Sequence, residues 1–77
     1  MRISLAYVGY LHLPGVKNNS VLEVDEPSSV ADVLEHFGMR REHRRFIVPV
    51  VNGERKRLSY VLRPDDALFL YLPAGGG

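Results

Sequence analysis

Few residues in this 77-residue chain carry groups that could do chemistry, and most are spaced in ways that no reaction uses. His12, His36 and His43 lie on separate stretches without ligand spacing, and there is no cysteine to complete a metal site. The lack of cysteine also excludes a thiol nucleophile and disulfide staples. Ser28, Ser29 and Ser59 sit in nothing like a nucleophile elbow, and Ser29 is better placed as a helix cap. No glycine-rich loop follows a strand in the manner of a phosphate cradle. That leaves the tail, Ala74-Gly75-Gly76-Gly77. Residues without Cβ adopt extended or positive-φ conformations freely, so Gly75 and Gly76 suit passage through a narrow channel. Fully extended, the segment from Ala74 to Gly77 reaches on the order of 13 Å. A carboxylate on Gly77 is a poor electrophile, so its use as an acyl donor requires activation by a partner. Taken alone, a glycine-rich end reads as a frayed terminus or a linker, and the chain is expected to have no catalytic residue, no metal and no bound cofactor.

The second feature is a segregation of charge beneath a formal net charge of +1. Glu23, Asp25, Glu26, Asp32 and Glu35 fall between positions 18 and 39 with no Lys or Arg among them. Arg40, Arg41, Arg44, Arg45, Arg55, Lys56 and Arg57 fall between 40 and 57, against Glu42 and Glu54. Two solvated faces of opposite sign account for this at the simplest level. If the two basic stretches share a face, they would also contact phosphates, with Phe46 and Tyr60 as candidate stacking rings. A small RNA-binding domain built on segment 40–57 is thus an alternative reading, behind one in which the partners are proteins and nucleic acid has no part.

The elements that must position these features follow from period and punctuation. Residues 2–8 alternate around Ile3, Leu5 and Tyr7 and predict a half-buried strand, and 20–25 predicts its hairpin partner. Leu11, Leu13 and Val16, in the connection marked by Pro14-Gly15 and Asn18-Asn19, are expected to pack back on the core. Val30, Val33, Leu34 and Phe37 form one helical stripe. Ser29 and Asp32 at its start form a capping box, and Gly38 closes it. After a charged connector, 40–45, the apolar run 46–51 predicts a buried strand in which Pro49 costs one ladder bond. Asn52-Gly53 predicts a hairpin turn, 56–58 a short strand, and 67–72 a last strand ended by Pro73. With 45% apolar residues the chain can bury one small core. The order predicts an α+β domain over 1–73, a mixed sheet of four to five strands on one main helix, followed by a flexible tail over 74–77. No run is long and apolar enough for a signal peptide or membrane span, which leads to the expectation of a cytoplasmic protein without a membrane partner.

Taken in order, these pieces resemble the ubiquitin-like β-grasp sulfur carriers of the MoaD/ThiS family. The resemblance is carried by Leu13-Pro14-Gly15-Val16 after the first strand and by the helix start Ser28-Ser29-Val30-Ala31-Asp32-Val33-Leu34. It continues through Val50-Val51-Asn52-Gly53-Glu54, Leu62-Arg63-Pro64-Asp65-Asp66 and the final Gly76-Gly77. The stretch 52–71 also resembles ubiquitin-like domains fused to Mut7-C ribonuclease modules, of which this chain would be a stand-alone relative. Two departures stand out: Asp65-Asp66 where such carriers usually have Gly-Asp, and an extra glycine in the tail.

The resemblance implies a β-grasp fold and a carrier role. An adenylyltransferase of the MoeB/ThiF type would use ATP to form an acyl-adenylate on Gly77, and a sulfurtransferase would convert it to a thiocarboxylate. The sulfur would then pass to a synthase subunit that makes molybdopterin or the thiamin thiazole, or to a tRNA base. Gly76 and Gly75 would thread the partner's channel. If the last strand follows the family's alternation, Leu68 and Leu70 face the helix, leaving Phe69 and Tyr71 with Pro73 as a docking patch. The opposite register would put the two aromatics in the core. A ubiquitin-like module for interaction or protein conjugation, without sulfur transfer, is the remaining alternative.

Overall fold

In the computed structural model, which describes residues 1–8, 11, 13 and 15–73, the first alternating run forms strand β1, Arg2–Tyr7, with Ile3 and Leu5 buried. Strand β2, Ser20–Glu23, pairs antiparallel to it, with Ile3 opposite Leu22. The Asn18 side chain extends that ladder. Its Nδ2 donates to the Tyr7 carbonyl at 2.7 Å and its Oδ1 accepts from the Tyr7 N–H at 2.9 Å. Leu11 and Leu13 are buried as their composition requires, while Pro14 of the same turn lies outside the described residues.

Helix α1, Val30–His36, starts on the capping box read from its sequence. Ser29 Oγ accepts from the Asp32 N–H at 3.1 Å, and Asp32 Oδ2 accepts from the Ser29 N–H at 2.9 Å. Gly38 ends it in the left-handed region at φ 83°. A second, single-turn helix, α2, spans Arg41–Arg44. Strand β3, Val48–Val51, turns through Asn52 and Gly53, both at positive φ as a two-residue hairpin demands, into β4, Glu54–Arg55. Strand β5, Ala67–Tyr71, runs parallel to β1 and antiparallel to β3, so the sheet order is β2-β1-β5-β3-β4. One face of this mixed sheet packs on α1, and Val30, Val33 and Leu34 join Leu5, Leu68 and Leu70 in a single core. This is the α+β β-grasp architecture.

Two boundaries differ from the sequence expectation. The strand expected over 46–51 begins only at Val48, and Phe46 is not buried but 51% exposed. The N–H groups of Phe46 and Ile47 donate to the carbonyls of His43 and Arg44, at 3.1 and 3.0 Å, so α2 consumes the backbone that a strand would need. The short strand expected over 56–58 lies instead at Glu54–Arg55. Beyond it the chain serves α1: the Val30 and Ala31 N–H groups donate to the carbonyls of Tyr60 and Leu58, at 3.0 and 2.9 Å. Those donors of the first turn have no partner within the helix.

Pro49 explains why β4 is so short. Its carbonyl accepts from the Lys56 N–H at 2.9 Å, on the β4 side, and the N–H that proline lacks would point the same way. The ladder to β5, where Pro49 stands opposite Leu70, is therefore left intact. The turn into β5 accounts for the Asp65-Asp66 departure. Asp65 sits at φ 68°, a conformation natural to glycine and tolerated by Asp. Asp66 is 5% exposed, and its carboxylate accepts from Asn52 Nδ2 at 2.8 Å, the Arg63 N–H at 2.8 Å and the Tyr60 hydroxyl at 3.3 Å.

Candidate functional site

The central strand decides what the sheet presents. Alternation along β5 sends Leu68 and Leu70 into the core and turns Phe69 and Tyr71 to the open face, so of the two registers the one with the aromatics outside holds. Phe69 is 38% exposed and Tyr71 half-buried, with ring centroids 6.2 Å apart. Phe69 stands beside Ala6 of β1 and Val50 of β3, while Tyr71 stands opposite Val48. Ser4, Ala6 and Ala67 are too small to fill the space around the Phe69 ring. A shallow apolar depression of about 470 Å³ results, with Val21 at its margin, 68% exposed. Solvent-exposed apolar surface of this kind marks contact sites on other proteins.

Pro73 is described and half-buried, two residues beyond Tyr71. Gly75, Gly76 and Gly77, where the acyl chemistry was expected, lie outside the described residues, as do Ala74 and His12. A feature that sequence reasoning missed lies next to the tail's root. Leu72 lines a cleft of about 360 Å³ whose apolar walls include Leu11, Leu13, Phe37 and Ile47, with Arg40 and His43 also lining it. Leu72 follows the central strand directly, so the chain leaves the sheet between this cleft and the Tyr71 side. The periodicity of α1 and the strands carries no signal for that meeting, which joins four separate segments.

Two of the described side chains titrate away from their ordinary values. Asp32 is held below the ordinary carboxylate range, chiefly by the Ser29 N–H, then by the Ser29 hydroxyl, with Arg44 adding to the effect against some desolvation. Tyr60 is pushed above the usual phenol value, first by burial, then by the neighbouring Asp66 charge and the hydrogen bond to it. Both groups are structural, one capping α1 and the other bracing the turn into β5. Among the described residues no three His, Asp or Glu side chains cluster to hold a metal ion, and no helix is long and apolar enough to cross a membrane. His36 closes α1 and His43 sits on α2, without a shared ligand geometry.

No protein-family model matches the chain, and no curated protein sequence matches it. Solved structures do match. SAMP1 from Haloferax volcanii is 21% identical with a TM-score of 0.72, each chain covered over 100% of its length. A putative molybdopterin converting factor, subunit 1, from Pyrococcus furiosus is 20% identical with a TM-score of 0.70, over 95% of this chain and 98% of that one. At this identity the likeness establishes the β-grasp fold.

Proposed function

We propose that this protein is a sulfur carrier whose chemistry takes place on the Gly77 carboxylate. An adenylyltransferase of the MoeB/ThiF type docks on the Phe69, Tyr71 and Pro73 surface and draws the tail into its active site. The carboxylate oxygen attacks the α-phosphorus of ATP, pyrophosphate leaves, and a sulfur donor then displaces AMP to leave a thiocarboxylate. A synthase subunit for molybdopterin or the thiamin thiazole, or a tRNA-modifying enzyme, takes the sulfur. The observation that carries this reading is a β-grasp body whose central strand turns two aromatics to the open face and leads, within six residues, into Gly75-Gly76-Gly77. The fold shared with the Pyrococcus furiosus protein, a putative molybdopterin converting factor subunit, adds support.

The arrangement divides the labour. Gly75 and Gly76 offer no Cβ to a confining channel, and Gly77 supplies the reacting carboxylate. Phe69 and Tyr71 give the partner a rigid aromatic anchor on the strand that leads into the tail, the type of residue that dominates binding energy in protein interfaces. The chain needs no catalytic group, because the partner supplies activation.

The test is incubation with ATP, a sulfur donor and a MoeB/ThiF-type adenylyltransferase, followed by intact-mass measurement. An adenylate and then an oxygen-to-sulfur mass gain are expected, both lost on deletion of Gly77 while the circular dichroism spectrum is unchanged. Phe69→Asp should raise the KM for the carrier by roughly 30-fold, the scale of a lost anchor of about 2 kcal/mol. A Gly77 deletion that reacts like the intact chain refutes the proposal. Transfer of the whole chain onto lysines, with no mass gain of sulfur, would make it a conjugation module instead.

A further inference from the structure

The two basic stretches, separated in sequence by the segment 46–54, meet in space. Arg45, at the end of α2, lines one shallow groove of about 540 Å³ together with Arg55, Lys56 and Arg57, over a floor that includes Ile47 and Pro49. Arg45, Arg55 and Arg57 are all exposed. Among the described residues, Lys56 alone of these four has a carboxylate in ion-pair range, Glu54 at 3.8 Å. Beside the groove stands Phe46, 51% exposed, with the Arg45 guanidinium 4.9 Å from its ring centroid. A large aromatic ring left in solvent next to unpaired guanidinium groups is an unusual use of a hydrophobic residue. Tyr60, the other candidate stacking ring, also lies next to a groove cation, with Lys56 Nζ 5.1 Å from its ring centroid, but it is half-buried and its hydroxyl is engaged by Asp66, so it offers less free ring than Phe46.

We infer that this groove binds single-stranded nucleic acid. A phosphodiester chain presents one anion per nucleotide with an aromatic base beside it, which matches the guanidinium and ring placed side by side at Arg45 and Phe46. Arginine suits phosphate because its planar fork makes paired hydrogen bonds, and an exposed phenyl ring stacks on any base. An acidic protein surface would satisfy the cations but has no special use for a ring under a guanidinium. The four cations share no residue with the Phe69, Tyr71 and Pro73 surface, so the inference stands apart from the carrier reading.

The experiment is fluorescence anisotropy with the full chain and a labelled 12-nucleotide oligouridylate. Neutralising three to four phosphates on a single strand predicts that affinity falls about 20- to 50-fold between 50 and 200 mM salt. Phe46→Ala should weaken binding at least about fivefold, the effect of losing one stacked base. Arg45→Glu with Arg57→Glu should abolish binding, and since both positions are exposed the circular dichroism spectrum should stay unchanged. Equal binding of the deoxy 12-mer supports the site as stated, and a preference for the ribo chain supports it and names RNA as the source. No oligouridylate binding at 50 mM salt overturns the inference. So does equal binding of a 12-residue polyglutamate with Phe46→Ala silent, which would make the groove a dock for an acidic protein.

Discussion

Replacing Asp66 with Ala tests whether the turn into β5 is held by one buried carboxylate. Asp66 is 5% exposed and accepts two short hydrogen bonds, from Asn52 Nδ2 and the Arg63 N–H, each at 2.8 Å, and one long one from the Tyr60 hydroxyl at 3.3 Å. Hydrogen bonds to a charged group contribute about 1.5–3 kcal/mol each, and a buried donor left alone costs about 1–3 kcal/mol. The Asn52 amide is exposed and recovers a water, whereas the Arg63 N–H keeps most of its penalty, so the expected loss is about 2–4 kcal/mol. A domain of this size has about 4–12 kcal/mol of stability in total. The midpoint of thermal unfolding should therefore drop by roughly 10–25 °C. Urea and thermal unfolding followed by circular dichroism measure this, with Asp65→Asn, exposed in the same turn, as the control. The conservative Asp66→Asn variant has a second readout. It removes the negative charge that helps to raise Tyr60 while keeping one acceptor oxygen, so the Tyr60 phenol should titrate at lower pH, read from its ring carbon by NMR. A loss under about 1 kcal/mol for Asp66→Ala, or an unmoved Tyr60 titration, would refute the reasoning.

The other predictions concern the same frame. Leu70→Ala empties a fully buried site on the central strand and should cost about 2–5 kcal/mol by urea titration, a large share of the domain's stability. Ser29→Ala removes the capping box and should cost about 0.5–2 kcal/mol. Because the folded state holds Asp32 below its ordinary value, its contribution is complete above the unfolded pKa and disappears as pH falls through the folded one. The acid limb of the stability profile should flatten in Ser29→Ala, and the Asp32 titration should move upward. Asp65→Gly should stabilise by a few tenths to about 1 kcal/mol, since φ 68° strains any residue with a Cβ. Tyr60 runs the opposite way to Asp32: its raised value gives stability that is complete below the unfolded phenol pKa and fades as pH rises through the folded one. Phenylalanine at position 60 should remove that alkaline loss.

The parts of the fold governed by neighbours in sequence were legible beforehand. Ser29, Asp32 and Gly38 bounded the helix because caps act over three or four residues. Asn52-Gly53 marked its turn because two consecutive positive-φ residues are a local demand. Alternation put Phe69 and Tyr71 on one face and Leu68 and Leu70 on the other, while the choice of which face is open rested on the family resemblance until burial decided it. The errors fell where one segment's backbone is claimed by another. Phe46 reads as strand from its apolar company, yet α2 takes its N–H; 56–58 reads as strand, yet its Lys56 N–H makes the last bond to β3 and its Leu58 carbonyl is taken by the first turn of α1.

What the sequence by itself determined about this protein is its main order of elements, the alternation within each strand, and a run of glycines following the last strand. Only the tertiary structure decided that β5 lies between β1 and β3, that Asp66 gathers Asn52, Tyr60 and Arg63, and that Arg45 meets Arg55 and Arg57 across a groove. The physical reason is range. Caps, turns and alternation are settled within a few residues, while strand insertion and the sharing of one surface depend on which distant segments the core brings together.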